Sequence, residues 1–541
     1  QGLFVEQTSR NFSDIHVLII DDSKTSSVLV RQQMVSLGYR QEQIIAVTSY
    51  QEAIKAVEVR HYDVLIMDYH LEQSITGYEL TTLLFNNRLI NDSTGILIIS
   101  GDSRQETVLT SLSGRVKHFI MKPIKTKDLG EKLNILHQET SILSQVKTLL
   151  RNPKTDTIYQ LLEYAQQLNF AISFESSLIE LLVTSKQWDI LDEFLNHSDS
   201  SNHPTKECAR AMLLNRAGDV QHAINALAQY LVLKPLSLNV MDYLSELYEQ
   251  EHNREEALYW ALKAFEFTPS VSDRAIRAGK LAAEINNREA VIKIGYTFAN
   301  HISLTDNHWL QSIIEYGHCL ERVYVKAEQA RSKKELLQHF SHFLKMTEKR
   351  LPNSRKKNLI SYRLVFQCRL LLQENKLTGA HKKILLSIST YYDNLSLCPV
   401  PLAHEILPIL ELFGELWLHK YLSKLFGTQN NQSSAPDKTP FDVEHLKELY
   451  EILPSGGARE HDSDTIAIYE MIINLFPYST EAKIRYLHAV RSSNDEPNHN
   501  PVSLLSTLSE LELPPNWNRW LIGVRNANTY TEPPAPFSLV I

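Results

Sequence analysis

His16-Val17-Leu18-Ile19-Ile20 runs straight into Asp21-Asp22, and the same pattern, a short apolar run closed by a polar residue, recurs as far as residue 123. Val64-Leu65-Ile66-Met67 ends in Asp68, Ile96-Leu97-Ile98-Ile99 in Ser100, and His118-Phe119-Ile120-Met121 in Lys122-Pro123; Ile44-Ile45-Ala46-Val47 is a further run. Runs apolar at nearly every position predict strands covered on both faces, as in a parallel sheet wrapped by helices. The segments between them, Val28 to Leu37, Tyr50 to Val59, Tyr78 to Arg88 and Glu106 to Leu112, have helical spacing, with Ser23 and Ser49 placed as N-caps. The expectation is a (βα)5 unit: an α/β, doubly wound, five-stranded parallel sheet.

In open α/β sheets ligands sit outside the carboxyl ends of the strands. Asp21, Asp22, Asp68, Ser100 and Lys122 all stand at such ends, so they converge on one rim. Three carboxylates gathered without counter-charge repel, so the set makes chemical sense around a hard divalent cation, Mg²⁺, with Lys122 balancing the remaining charge. A metal and a lysine neutralising equatorial oxygens, a small hydroxyl and an acceptor carboxylate are the parts of phosphoryl transfer.

The acidic pair, central Asp, Ser and Lys-Pro, in that order over residues 14–139, resemble the receiver domain of bacterial two-component response regulators, with its flavodoxin-like fold. The resemblance implies that Asp68 accepts a phosphoryl group from a histidine kinase or phosphotransfer protein. It implies that Asp21, Asp22, Asp68 and the backbone carbonyl of His70 hold Mg²⁺. Ser100 and Lys122 would then bind the phosphoryl oxygens, and Phe119 would be the aromatic that follows the switch, altering the face made by 106–112, 118–121 and the next helix. His70 and Asp102 stand where the family sets the lifetime of the phosphoryl group. The loop Tyr69 to Gly77 departs from the family pattern, with no Met-Pro and its glycine nine residues after the acceptor.

Beyond Lys127 the chain runs without a helix breaker to Pro153, with leucines at 129, 133, 136, 143 and 150. The last helix of the sheet unit is therefore expected to continue as a connector (140–152), and its seam offers a homodimer contact. The rest reads as amphipathic helices. Pro235 and Pro269 are 34 residues apart, as are Ala223 and Ala257; the turns Gly218-Asp219 and His252-Asn253 keep the same offset, and Leu213, Leu247 and Leu281 align. That period, with alanine allowing close helix approach and proline ending each second helix, resembles tetratricopeptide repeats. The expected layout is an N-terminal tail (1–13), the sheet unit (14–139), the connector, repeat-like helices (153–301), further helices (302–426), a polar linker (427–440) and a partly repeat-like helical end (441–541).

Composition narrows function. The chain has 541 residues, too many for one core, and 43% are hydrophobic. Its formal charge of −8 disfavours nucleic acid, and four separated cysteines suggest neither disulfides nor zinc. No apolar run spans a membrane and the N-terminus lacks a secretory signal, so a cytoplasmic protein without a membrane partner is expected. GxGxxG, P-loop, HExxH and GxSxG motifs are absent, so no catalytic output is expected. The reading is a response regulator whose helical array binds a protein or peptide. The rival readings are a nucleic-acid-binding or enzymatic C-terminal output, or a constitutive scaffold with a passive receiver.

Overall fold

In the computed structural model the described residues are 14–72, 75–91, 94–101, 116–154, 156–303, 306–427, 448, 463–491, 499–527 and 532–537. They form two compact units, Gln1–Trp309 and Leu310–Ile541. The expected helix 106–112, Asp102, the tail and nearly all of the 427–440 linker lie outside the described residues.

The first unit opens with β1 (Val17–Ile20), α1 (Lys24–Ser36), β2 (Ile44–Val47), α2 (Tyr50–Val59) and β3 (Val64–Asp68). A small hairpin follows, β4 (His70–Glu72) with β5 (Ile75–Thr76), then α3 (Gly77–Asn86), β6 (Gly95–Ser100), β7 (His118–Met121) and α4 (Thr126–Leu149). The main sheet has the order β2-β1-β3-β6-β7 and is parallel throughout. The two-residue period of a strand explains the continuous apolar runs. Val17, Ile19, Val64, Ile66, Leu97, Ile99 and Ile120 face the core under α1 and α4, whereas Leu18, Ile20, Leu65, Met67, Ile96 and Ile98 face the core under α2 and α3. Ser23 and Ser49 cap α1 and α2 as expected, accepting from the amides of Ser26 and Glu52.

Helix α4 is a single rod of 24 residues with no break at 139. Leu129, Leu133 and Leu136 lie in the sheet core, and a Cβ at Gly95 would collide with Leu136, so the first residue of β6 is the notch that seats the helix. Leu143, Val146 and Leu150 are buried in the next core, among helical residues such as Phe174, Leu178 and Phe194. The seam expected to offer a homodimer contact is thus consumed inside the chain: the same leucine spacing that suits a two-stranded coil serves two successive cores.

The rest of the unit is helical: α5 (Thr157–Gln167), α6 (Ile172–Thr184), α7 (Trp188–His197), α8 (Pro204–Arg216), α9 (Val220–Leu233), α10 (Leu238–Gln250), α11 (Arg254–Phe267), α12 (Ser272–Glu284) and α13 (Arg288–His301). From α8 to α13 every helix start recurs after 34 residues. The turns explain why. Gly218, His252 and Asn286 occupy equivalent left-handed positions at φ 86°, 59° and 57°. Each is followed by a capping side chain, Asp219, Asn253 or Asn287, that accepts a hydrogen bond from the amide three residues on. Ala223 and Ala257 are fully buried where paired helices approach.

The second unit holds longer helices, Trp309–Lys326, Ala330–Arg350 and Asn353–Gln373, then Leu377–Ser389, Val400–Leu412, Leu416–Phe426, Ser463–Leu475, Thr480–Arg491, Pro501–Ser509 and Pro515–Ala527. Arg369 ties Glu321 (2.7 Å) to Glu405 (3.4 Å), and His318 completes the set at 2.9 Å from Glu405. These ionisable groups satisfy one another and cross-link helices. No helix among the described residues is long and apolar enough to cross a membrane.

Two measurements probe this framework. Asn253→Ala removes a cap from the repeated turn and is expected to cost about 1 kcal/mol in denaturant unfolding. His339, buried against Tyr316 at 2.7 Å, has its pKa pushed down to about 4 by burial and by the neighbouring charge of His342. The unfolded chain therefore takes up a proton first, and stability present above the ordinary histidine pKa is lost as pH falls towards 4. Between pH 7 and 5 wild type is expected to lose about 2 kcal/mol more than His339→Gln, read as the difference in their denaturation midpoints.

Candidate phosphoacceptor site

The ends of β1, β3, β6 and β7 bring the expected residues to one rim. Asp21 is fixed by its own helix: Oδ1 accepts from the Ser23 amide at 2.9 Å, and Oδ2 accepts from Ser26 Oγ at 2.5 Å. Asp21 is 3% exposed, while its neighbour Asp22 is open to solvent. Lys122 extends from the turn after β7, which carries a cis Lys122-Pro123 bond, and its ammonium lies 2.9 Å from Asp68 Oδ2 and 3.2 Å from Asp21 Oδ2. Gln33 of α1 holds this turn by donating to the Ile124 carbonyl at 2.8 Å. Ser100, fully buried, ends β6 beside β3, and its carbonyl accepts from the Lys122 amide at 2.8 Å.

The electrostatics of the rim are unbalanced. Burial, together with the charges of Asp21 and Asp22, pushes the Asp68 carboxyl above its ordinary pKa despite the hydrogen bond and charge of Lys122. Burial draws Lys122 down, but the hydrogen bonds and charges of Asp68 and Asp21 outweigh it, so the lysine holds its proton more tightly than usual. Oxygens of Asp21, Asp22 and Asp68 lie within 4.8 Å of one another. A pocket with three carboxylates, one ammonium and an acceptor whose negative charge is disfavoured fits an additional cation, and all-oxygen donors suit Mg²⁺.

The remaining expected residues fall as follows. Phe119 is half-buried, in register with Ile98, and packs towards the α2 and α3 core. His70 opens the hairpin with its ring edge-on to Tyr69, the centroids 4.9 Å apart. The hairpin lies in the altered loop that the sequence marked by its missing Met-Pro and its late glycine. It ends in a capping box, in which the Thr76 side chain accepts from the Glu79 amide and Glu79 reaches back to the Thr76 amide at 2.9 Å. A Cβ at Gly77 would stand 2.5 Å from the Asp68 carbonyl oxygen, so α3 starts directly on the acceptor's backbone and only glycine fits there. The Thr-x-x-Glu spelling of that box was the available signal.

The match to a family model decides the nature of this rim: residues 17–134 match that of the response regulator receiver domain. Residues 17–134 are a response regulator receiver domain. Over 135 residues the chain is 30% identical to "Sensor protein EvgS" of Escherichia coli strain K12, covering 25% of this chain and 11% of that protein. It is 28% identical over 126 residues to "Two-component response regulator ORR12" of Oryza sativa subsp. japonica, covering 23% of this chain and 99% of that one. It is also 28% identical over 122 residues to "Hybrid signal transduction histidine kinase H" of Dictyostelium discoideum, spanning 22% of this chain and 9% of that one. The family match lies within the sheet unit. Receiver domains interact with histidine kinases or phosphotransfer proteins and bind Mg²⁺ through an aspartate cluster, the arrangement formed here by Asp21, Asp22 and Asp68.

Because Asp22 is exposed whereas Asp21 also braces α1, the two carboxylates separate experimentally. Asp22→Asn is expected to weaken Mg²⁺ or Mn²⁺ binding by about tenfold, equivalent to about 1.4 kcal/mol, in calorimetric titration. Its thermal midpoint should stay near wild type, while that of Asp21→Asn falls.

Proposed function

We propose that the chain is a phosphorylation-dependent response regulator whose helical array is a tetratricopeptide-like, protein-binding output. The observation that carries this reading is the Asp68 carboxylate, ion-paired to Lys122 and crowded by Asp21 and Asp22 at the end of β3. A phosphohistidine on a kinase or phosphotransfer protein supplies the group. Asp68 Oδ attacks phosphorus, an O–P bond forms, the N–P bond of the donor breaks, and the leaving imidazole takes a proton. Lys122 neutralises an equatorial oxygen, and Ser100 offers its hydroxyl to another. Mg²⁺, held by Asp21, Asp22, Asp68 and the His70 carbonyl, supplies charge neutralisation when bound. His70 and Asp102 set how long the product lasts, and Phe119 follows Ser100.

The 34-residue period of α8 to α13, with its recurring left-handed turn and cap, supports the tetratricopeptide-like reading of the output, and stacked helical pairs suit peptide or helix ligands. In this reading the chain is cytoplasmic and its helical region does no chemistry of its own.

Incubating the protein with acetyl phosphate and Mg²⁺ is expected to give one hydroxylamine-labile phosphoryl group per chain by intact mass. Asp68→Asn should abolish it. Labelling that survives the substitution, or wild-type protein that takes no label, would refute the assignment.

A further inference from the structure

The helical array meets the receiver on a face that the strand-end chemistry does not involve. Within the array, α8 and α10, the first helices of successive pairs, pack on each other. The receiver contributes part of the expected surface: Lys117 ion-pairs with Glu180 of α6 at 2.6 Å. Buried His118 bonds Glu139 of α4 at 2.8 Å, and Glu139 in turn accepts from Ser173 of α6 at 2.5 Å. The larger surprise is α3. Its first turn presents two side chains to the array. Buried Tyr78 has its hydroxyl pKa raised by burial and drawn back by the charge of Arg274, which is clamped on Asp242 of α10 by contacts of 2.6, 3.1 and 3.2 Å. Glu79 uses one oxygen for its capping box and gives the other to the Ser270 amide at 3.2 Å, where both residues are buried. At the far end of α3, Asn86 reaches Asp273 (3.3 Å) and Asn87 reaches Asp306 (3.0 Å).

This contact is chemically specific. Ser270 precedes α12, so its amide is one of the donors near a helix start and suits a carboxylate. Arg274 is held in one orientation by Asp242 and Thr268, so it offers a fixed direction to an aromatic hydroxyl. The same first turn of α3 rests on the acceptor: Gly77 donates to the Tyr69 carbonyl at 2.8 Å, Tyr69 donates to Ile99 at 2.8 Å, and Gly77 abuts the Asp68 carbonyl. One helical turn therefore touches the phosphoacceptor's backbone on one side and the array on the other.

We propose that the array surface centred on Ser270, Arg274 and Asp242 is a helix-binding surface selecting an N-terminal turn with an aromatic hydroxyl beside a carboxylate, and that α3 is its resident occupant, released when Asp68 is loaded. The proposal deepens the regulator reading and rests on it for the release step. It names an output contact through α3, and the chemistry a competing partner helix must carry.

The Ser270 amide reports on the contact directly. In the full chain, hydrogen exchange across residues 268–275 is expected to quicken about tenfold in Tyr78→Phe, which leaves the capping box intact. It should quicken similarly in wild type treated with acetyl phosphate and Mg²⁺, and stay slow in Asp68→Asn under the same treatment. A helix-stapled peptide of residues 76–87 is expected to bind the Tyr78→Phe chain about tenfold more tightly than untreated wild type. That binding should be lost when Phe replaces Tyr in the peptide or in Arg274→Gln. Unchanged exchange in wild type shown by mass to be fully phosphorylated overturns the release step while sparing the regulator reading. Absence of any acyl phosphate overturns the regulator reading, and the Tyr78→Phe and peptide arms still judge the surface. Exchange unaffected by Tyr78→Phe, or no peptide binding, overturns the surface itself.

Discussion

One ammonium group between two carboxylates organises the receiver. Lys122 bridges Asp68 and Asp21 from the far side of the rim, and its reach is set by strands that must lie parallel and in register so that their ends meet. Parallel strands need crossover helices on both faces, and these in turn require strands apolar on both faces. The crowding of charge at the rim and the all-apolar interior of the sheet are therefore two sides of one constraint. A sequence with either alone would leave buried carboxylates uncompensated or a sheet with no chemistry at its edge.

What could be read without coordinates was what is local or repeated. Five strands, the caps at Ser23 and Ser49, and the meeting of Asp21, Asp22, Asp68, Ser100 and Lys122 follow from periodicity and from where strands end. The helical period followed from Pro235, Pro269 and their neighbours, because each turn reuses a left-handed residue and a cap. The β4-β5 hairpin escaped because strands of three and two residues are too short for any alternation to show. The pairing of Glu79 with Ser270 spans 191 residues and uses a backbone amide, which carries no sequence signature at all. The leucines of α4, expected to offer a dimer seam, are buried within the chain, because helical spacing states that a face is buried, never by what.

Tyr78 and Glu79 show how a short loop takes on more than one task. The turn that closes behind the acceptor also starts a helix, and that helix is long enough to carry contacts at both of its ends. Where the loop departs from the family's usual pattern, the chain forms a hairpin and a capping box.

The rod α4 separates two ideas of a domain. The match to the receiver family model ends at residue 134, yet Leu136, which fills the notch at Gly95, and Glu139, which holds buried His118, both lie beyond it. The same helix, a few residues later, supplies Leu143 and Val146 to the core of the first helical pair. The inherited module and the cooperative folding module are therefore different objects here. A fragment cut at the homology boundary would keep every residue of the phosphoacceptor rim and lose part of the floor on which that rim is built.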